Sequence, residues 1–475
     1  MVAMALDRHI ARLAKILVDS EGISFEDAQA RLRALTLDIV VGAGATSPAA
    51  HAAVLTAVSV GSRTFVGGVC VTGATGQRFN SALPLKADTL ADAAAQVGAS
   101  RLDRSPSHRI LIGAVEDPGE TSAIAAWWRG WRAGVAESGA ALSDEGLNPL
   151  AGIAAGALAV GAAFAAARRS ALDYPSEVDL WPVDPGEDAP GFSEIFLPGA
   201  LWLVGLGNLG QAFLWALAAL PYANPSEVSL LLQDRDKVSE ENWATSVLVR
   251  EETYGKLKTK VSERWARAKG FDVRRMDRRL LASDRLDNDD PRVALSGVDK
   301  IDVRRALADV GFDCVVDAGL GGNAADFDKY RVTVFDRAHP ILRHLEGMQD
   351  ISAEDELLRF GAYQRLQAEI GPCGTAEIAG ASVAAPYVSA IAASVAVSRL
   401  IAIVSGCKCS VNEVRRLSAA LPRRGLRETI EARGFRHAGR PFTRNTTGGE
   451  HGGRDGYFSG DAARDVSGSA APALH

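Results

Sequence analysis

Short apolar runs alternate with helix-period segments through the second half of the chain. The runs at 200–205, 227–234, 272–280 and 312–318 predict strands, and the spacing at 208–220 and 256–269 predicts helices between the first pairs. Strands separated by helices imply parallel βαβ units and an open α/β sheet. The first half repeats this order faintly. Strands are expected at 37–45, 63–71 and 108–115, the first leading into an alanine-rich helix. Two long apolar stretches, 149–167 and 378–405, also correspond, with Pro149 and Pro386 at matching positions. Two related halves in tandem explain this pattern, the N-terminal one degenerate; a chance likeness between buried alanine-rich helices is the alternative.

The expected organisation is an N-terminal half at 1–170, a Pro/Asp/Glu-rich connection at 171–195, a second half at 196–412 and an extension at 413–475. From about residue 446 the Gly/Ser-rich sequence predicts a disordered tail. Thr446-Thr447-Gly448-Gly449 reads as a flexible linker. At the N-terminus, Leu6, Ile10, Leu13, Ile16 and Leu17 predict a helix and no secretory leader, so cytoplasm is the expected compartment.

With 475 residues, 47% hydrophobic and 23% charged, the chain can bury a large core. A net charge of -6 and 6% aromatics argue against a nucleic-acid partner. The two apolar stretches approach the ~20 residues that cross a bilayer. They are built from Ala, Gly and Ser, and Arg399 interrupts the second, so buried helices rather than membrane spans are expected. Five cysteines without a CxxC pair make neither a disulfide framework nor a structural zinc site; Cys407-Lys408-Cys409 lacks a second pair. His51, His108, His339 and His344 are expected on the surface or in loops, and the cluster Trp127-Trp128-Arg129-Gly130-Trp131 in packing.

The chemistry concentrates after the strand at 200–205. Gly205-Leu206-Gly207-Asn208-Leu209-Gly210 supplies a tight turn, close backbone approach to phosphate and close helix packing, and then opens a helix whose N–H groups attract an anion. Asp234 ends the second strand, where a carboxylate can hold a ribose, and Asp236 follows. NAD and ATP both carry that ribose. Asn242 and the segment Tyr254-Gly255-Lys256-Leu257-Lys258 favour ATP, because a lysine at a helix start suits charge building at phosphorus.

GLGNLG, DRDKVSEEN and GKLK together resemble the GxGGxG, DxDxVxxSN and GxxK signature of the ThiF/MoeB/E1-like (ubiquitin-activating-type) adenylyltransferase superfamily. The resemblance covers 196–405 well and 1–170 in outline. It implies a Rossmann-like open sheet of the ThiF/E1 type and binding of ATP by Gly205, Gly207, Asn208, Gly210, Asp234, Asp236, Asn242 and Lys258. Asp317 would help to hold Mg²⁺. The implied reaction is attack of a carboxylate on the α-phosphate of ATP. The substrate would be the C-terminus of a ubiquitin-like or sulfur-carrier-like small protein, with acyl transfer to Cys373 in a Gly/Pro loop and an E2-like acceptor beyond it.

The family's arginine three residues after the asparagine is Thr245 here, and the CxxC zinc motifs are missing. In the first half Ser47 replaces the third glycine of Gly42-Ala43-Gly44, and no DxD or GxxK follows. That half therefore reads as a pseudo-adenylation half, and the chain as an internal pseudo-dimer, compatible with further homodimerisation. Arg8 and Arg12 are candidates to reach the other half's ATP. An NAD-dependent oxidoreductase and a non-catalytic E1-like scaffold are the rival readings.

Overall fold

The computed structural model describes residues 7–115, 123–137, 146–168, 177–182, 188–345, 361–380, 383, 385–419, 423–424, 427–429 and 435–442. The predicted tail lies outside these residues.

Two sheets form the frame. The first runs in the order Val69–Gly73, Leu37–Val41, His108–Ile112, Ala123–Arg129, Arg132–Glu137, Glu177–Asp179, with the first four strands parallel and the last two antiparallel. The second runs Arg423–Arg424, Asn412–Arg416, Lys329–Phe335, Cys314–Leu320, Val293–Ser296, Ala200–Val204, Ser229–Gln233, Asp272–Met276. Its parallel part spans Cys314–Leu320 to Asp272–Met276, and the strands from Lys329–Phe335 outward are antiparallel. Leu37–Val41 and Ala200–Val204 hold equivalent places, each between two parallel neighbours. The halves are thus related as expected, and the first has one parallel strand fewer.

Several strands were not legible. The double glycine in the expected strand 63–71 makes a turn instead. A Cβ on Gly67 would lie 2.5 Å from the carbonyls of Arg33 and Leu35, and Gly68 has φ +124°, so the strand starts only at Val69. The tryptophan cluster is a β-hairpin turning at Gly130 (φ +58°), with Trp128 and Trp131 buried and Trp131 packed on Trp181 at 4.6 Å. Part of the expected connection, Glu177–Asp179, is the edge strand of the first sheet. His51 is not on the surface: it is fully buried in helix Pro48–Gly61, its Nδ1 accepts from Asn80 N–H at 2.9 Å, and burial lowers its pKa to about 4.

Between the sheets lie four apolar helices, Pro48–Gly61, Asn208–Ala219, Pro149–Ala167 and Pro386–Val404. Proline occupies the first turn of both long helices, where its missing N–H costs nothing. Both are long and apolar enough to cross a membrane, yet 89% and 100% of their apolar windows are buried within the protein. Arg399 is buried too, donating to Glu413 Oε2 at 3.2 Å and to the Leu180 carbonyl at 2.8 Å.

Small residues set the helix spacing. A Cβ added to Gly152 would sit 2.0 Å from the Ala49 carbonyl oxygen, and one on Gly156 2.2 Å from that of Ala53. Across the halves, Trp215 Nε1 donates to Thr56 Oγ1 at 2.9 Å. Arg63, fully buried, donates to the carbonyls of Val247 and Val249 at 3.0 Å and of Ser59 at 2.6 Å. One side chain of the first half thereby fixes the loop that follows Asn242.

Two stability changes are expected. Gly152→Ala forces the helices apart and lowers stability by about 1–3 kcal/mol, whereas Gly44→Ala, with nothing within 4 Å of the new Cβ, leaves it unchanged; urea melts compare them. Arg63→Met leaves buried carbonyls without their donor and costs about 3 kcal/mol or more, read in the same melts.

Candidate nucleotide site

The carboxyl ends of three parallel strands, and the point where a fourth leaves its parallel pairing, form one row. Gln233 pairs with Val204, Val204 with Ser296 and Ser296 with Asp317. The residues that follow the first three, Asp234, Gly205 and Gly297, therefore stand side by side on the same edge as Asp317. At about 4.8 Å per strand, the row from Gln233 to Asp317 spans about 14 Å. The chain leaves in opposite directions from Ala200–Val204 and Val293–Ser296, and such a switch point is where open α/β sheets bind ligands.

Glycine is required here by contact. Gly205 has φ +82°, and a Cβ on Gly210 would lie 2.0 Å from the Gly205 carbonyl oxygen. A Cβ on Gly297 would meet Leu209 Cβ at 2.8 Å. The glycine loop is pressed between its own helix and the next strand's loop, while the position of a Cβ on Gly207 has no atom within 4 Å. Helix Asn208–Ala219 begins at Gly207 with no side-chain cap among the described residues. Both polar atoms of the Asn208 amide are shielded from solvent and have no partner among the described residues. Unpaired donors at a helix start, with a positive dipole end, make an anion site.

The equivalent helix of the first half is closed. Ser47 caps it by accepting from Ala50 N–H at 3.1 Å, and Pro48 removes a further donor. Ala45 fills the adjoining space, its Cβ only 2.9 Å from where a Cβ of Gly113 would stand. Gly73, the last residue of the second strand, pairs with Val41 as Gln233 does with Val204, so Ala74 stands where the other half has Asp234.

Asp234 ties the loop to the second strand: its Oδ2 accepts from Leu206 N–H at 2.7 Å and its Oδ1 from Asp236 N–H at 2.8 Å. Burial raises its pKa, with Lys258 and the two amides opposing. Lys258 opens helix Lys258–Lys269, donates its backbone N–H to the Asp236 carbonyl at 2.9 Å and sets its ammonium 3.1 Å from Asp236 Oδ2. The loop between them closes on itself through Val238 N–H to the Lys256 carbonyl and Gly255 N–H to that of Val238. Asn242 lies in this loop, its amide oxygen accepting from Ser239 N–H at 3.0 Å. Asp234, Asp236, Lys258 and the glycine loop are brought together. Asn242 uses its side-chain oxygen within its own turn, and Thr245 packs behind it, buried.

The first half reaches this loop. Arg12 pairs with Glu241 at 3.7 Å, His9 bonds the Tyr254 hydroxyl at 3.2 Å, and Arg8 lines a cavity of about 510 Å³ with Val238, Ser239 and Gly255.

Asp317 is completely buried. Its Oδ1 accepts from Ser296 Oγ at 2.8 Å, and its Oδ2 lies 2.7 Å from Arg331 Nη2 and 3.1 Å from Arg304 Nε. Two guanidiniums on one carboxylate repel a divalent cation, so these residues do not fit the magnesium expected at Asp317. No group of three or more His, Cys, Asp or Glu able to hold a metal occurs among the described residues.

Cys373 was expected in a loop, but its backbone is helical. Helix Gly361–Gly380 is broken at Gly371 (φ +79°), two residues before the cysteine, whose side chain lies outside the described residues. Beyond that helix, Val383 N–H donates to the Gly322 carbonyl at 3.2 Å, tying the segment to the loop after the Asp317 strand. Cys314 is buried as packing. The Cys70 thiol donates to Asp38 Oδ1 at 3.4 Å, and burial raises its pKa to about 12. Ser296, Gly297, Arg304 and Arg331 escaped the sequence reading; the one local signal was the apolar run before Gly297.

Known proteins match both halves. The BilD N-terminal domain family matches residues 36–175 and the BilD C-terminal domain family residues 197–407. The bacterial E1-like protein BilD of Collimonas sp. (strain OK412) is 36% identical over 421 residues, covering 84% of this chain and 89% of that protein. Among solved structures, E. coli MccB aligns at 12% identity with a TM-score of 0.31, over 52% of this chain and 67% of that one. E. coli MccB with succinimide aligns at 13% identity and TM-score 0.29, over 51% of this chain; the chain spans 64% of that structure's length, less than two thirds. Likeness at these scores carries no weight here. With both halves and most of its length matched, the chain belongs to the BilD family of bacterial E1-like proteins.

Proposed function

We propose that the second half adenylates the C-terminal carboxylate of a small ubiquitin-like or sulfur-carrier-like protein, using ATP. The observation that carries this reading is the uncapped helix at Asn208, with Asp234 and Lys258 on the same side of the sheet. Loop amides and the helix start would take the phosphates, Asp234 would hold the ribose, and Lys258 would leave Asp236 for the reacting phosphate. The incoming carboxylate oxygen bonds to the α-phosphorus, the bond to the bridging oxygen breaks, and pyrophosphate leaves with that electron pair. Magnesium would arrive with the nucleotide as MgATP, and no step depends on its being held by Asp317. The first half, capped by Ser47, would act as a pseudo-adenylation partner whose Arg8 and Arg12 approach the active half's loop.

A second step would follow at Cys373. Its thiolate would attack the acyl-adenylate carbonyl, forming a thioester and releasing AMP, before transfer to an E2-like acceptor. The tie between Val383 and Gly322 supports this, since it brings the segment after the cysteine's helix to the Asp317 side of the edge. NAD chemistry would leave the paired Lys258 without a purpose. A scaffold without catalysis would leave the donors at Asn208 unused.

The full-length chain, mixed with candidate ubiquitin-like proteins, is expected to exchange pyrophosphate into ATP. Lys258→Ala should lower the exchange at least about 100-fold. Cys373→Ala should keep exchange and lose a thiol-sensitive adduct with the carrier. Tight NAD binding without exchange for any carrier would overturn the reading.

A further inference from the structure

Helix Ala11–Glu21 of the first half carries a lysine, Lys15, that is only 1% exposed. A charge so deeply buried is costly unless it is paired and hydrogen-bonded. The Lys15 ammonium donates to Asp19 Oδ2 and to the Tyr363 hydroxyl, each at 2.7 Å. That hydroxyl donates in turn to Asp19 Oδ1 at 2.7 Å. Cation, phenol and carboxylate thus close a ring of hydrogen bonds in which the two charges cancel. Burial holds the Tyr363 hydroxyl above the ordinary phenol range, so it stays protonated and keeps its proton for Asp19. Phe25, from the next helix, packs edge-on against the Tyr363 ring at 5.5 Å.

Tyr363 lies 348 residues from Lys15 along the chain, in the helix Gly361–Gly380 that carries Cys373. The buried face of this helix continues through Leu366 toward the break at Gly371. Past the break Thr375 and Ile378 are buried, and Thr375 Oγ1 donates to the Gly371 carbonyl at 2.9 Å. The tie from Val383 to Gly322 follows. The cysteine therefore sits between one fixed point on the first half and another on the second. No described atom stands within 4 Å of where a Cβ on Gly371 would lie. No neighbour wedges the break there, and the anchors on either side set the course of the cysteine's turn.

The same N-terminal helix also meets the nucleotide loop. Arg12, one turn before Lys15, pairs with Glu241 at 3.7 Å. From Arg12 to Asp19 the helix rises about 10 Å. One rigid element thus joins the loop between Asp234 and Lys258 to the segment that bears Cys373.

We propose that Lys15, Asp19 and Tyr363 are positioning residues for acyl transfer, latching the Cys373 segment to the helix that also holds the nucleotide loop. This rests on the reading of Cys373 as the acyl acceptor and deepens it. Adenylation needs the nucleotide loop alone, whereas transfer needs loop and thiol in register, so the latch acts on the second step.

Hydrogen–deuterium exchange of the full-length chain, followed by mass on peptides covering 361–380, tests the latch. Tyr363→Phe keeps the ring packed on Phe25 and removes only the hydroxyl. Its amides at 361–380 should exchange about 10- to 100-fold faster than in wild type, while those at 208–219 are unchanged. The double variant Lys15→Met/Asp19→Leu, which removes both charges together, should do the same. Both should keep wild-type pyrophosphate exchange and form the thiol-sensitive adduct about 10- to 100-fold more slowly, with the ubiquitin-like protein that supports that exchange. Unchanged deuterium exchange at 361–380 would overturn the latch. Faster exchange throughout the chain, or pyrophosphate exchange falling together with adduct formation, would make the three residues merely structural. A wild-type adduct rate despite a loosened segment would overturn the positioning role. A wild-type chain that forms no adduct, or one whose adduct survives Cys373→Ala, would instead sink the acceptor reading and the positioning role with it, and the deuterium exchange would still show whether the latch holds the segment.

Discussion

Every helix leaves its first N–H groups without partners, and how those donors are satisfied separates the two halves of this protein. In the first half a serine side chain and a proline close the helix after the first strand. In the second a glycine stands at the cap, and among the described residues no side chain caps the helix and the buried Asn208 amide lacks a partner. Donors left open and partly buried at a helix start favour an anion by more than the ~0.3–1 kcal/mol of an exposed helix end. The surrounding groups serve that opening: Asp234 holds the loop's amide, Gly297 closes its far wall, and Lys258 waits in an ion pair with Asp236.

That opening depends on the other half. Two of the four apolar helices between the sheets, Pro48–Gly61 and Pro149–Ala167, pack backbone to backbone at Gly152 and Gly156, which leaves them little freedom to slide. Arg63 then reaches across to hold the carbonyls of Val247 and Val249, and Arg12 and His9 hold Glu241 and Tyr254. A half whose own helix start is closed can still be retained because it shapes the loop between Asp234 and Lys258.

Much of this was legible in the sequence, for a physical reason. The glycine loop, the interval from Asp234 to Lys258 and the prolines opening the two long helices are local features, read from spacing and backbone chemistry alone. Strand Val293–Ser296 has only four residues and no alternation, so it was missed. The tryptophan cluster packs as expected, but the hairpin that carries it is not legible because its turn rests on one glycine. Gly371-Pro372 suggested a loop at Cys373, whereas the pair breaks one helix and starts the next. Least legible were the partners of Asp317. Arg304 and Arg331 lie 13 and 14 residues away along the chain, and only the packing of helix Ile301–Val310 and the sheet's pairing bring them to one carboxylate. That pairing turned an expected metal ligand into the anchor of two cations.

The asymmetry between the halves is tested most directly by the stoichiometry of nucleotide binding. Equilibrium dialysis of the full-length chain against radiolabelled ATP should saturate at one nucleotide per chain, and Gly210→Val, whose Cβ would stand 2.0 Å from the Gly205 carbonyl oxygen and displace the loop, should abolish it. Two nucleotides per chain, or one that survives Gly210→Val, would contradict an open second half paired with a closed first.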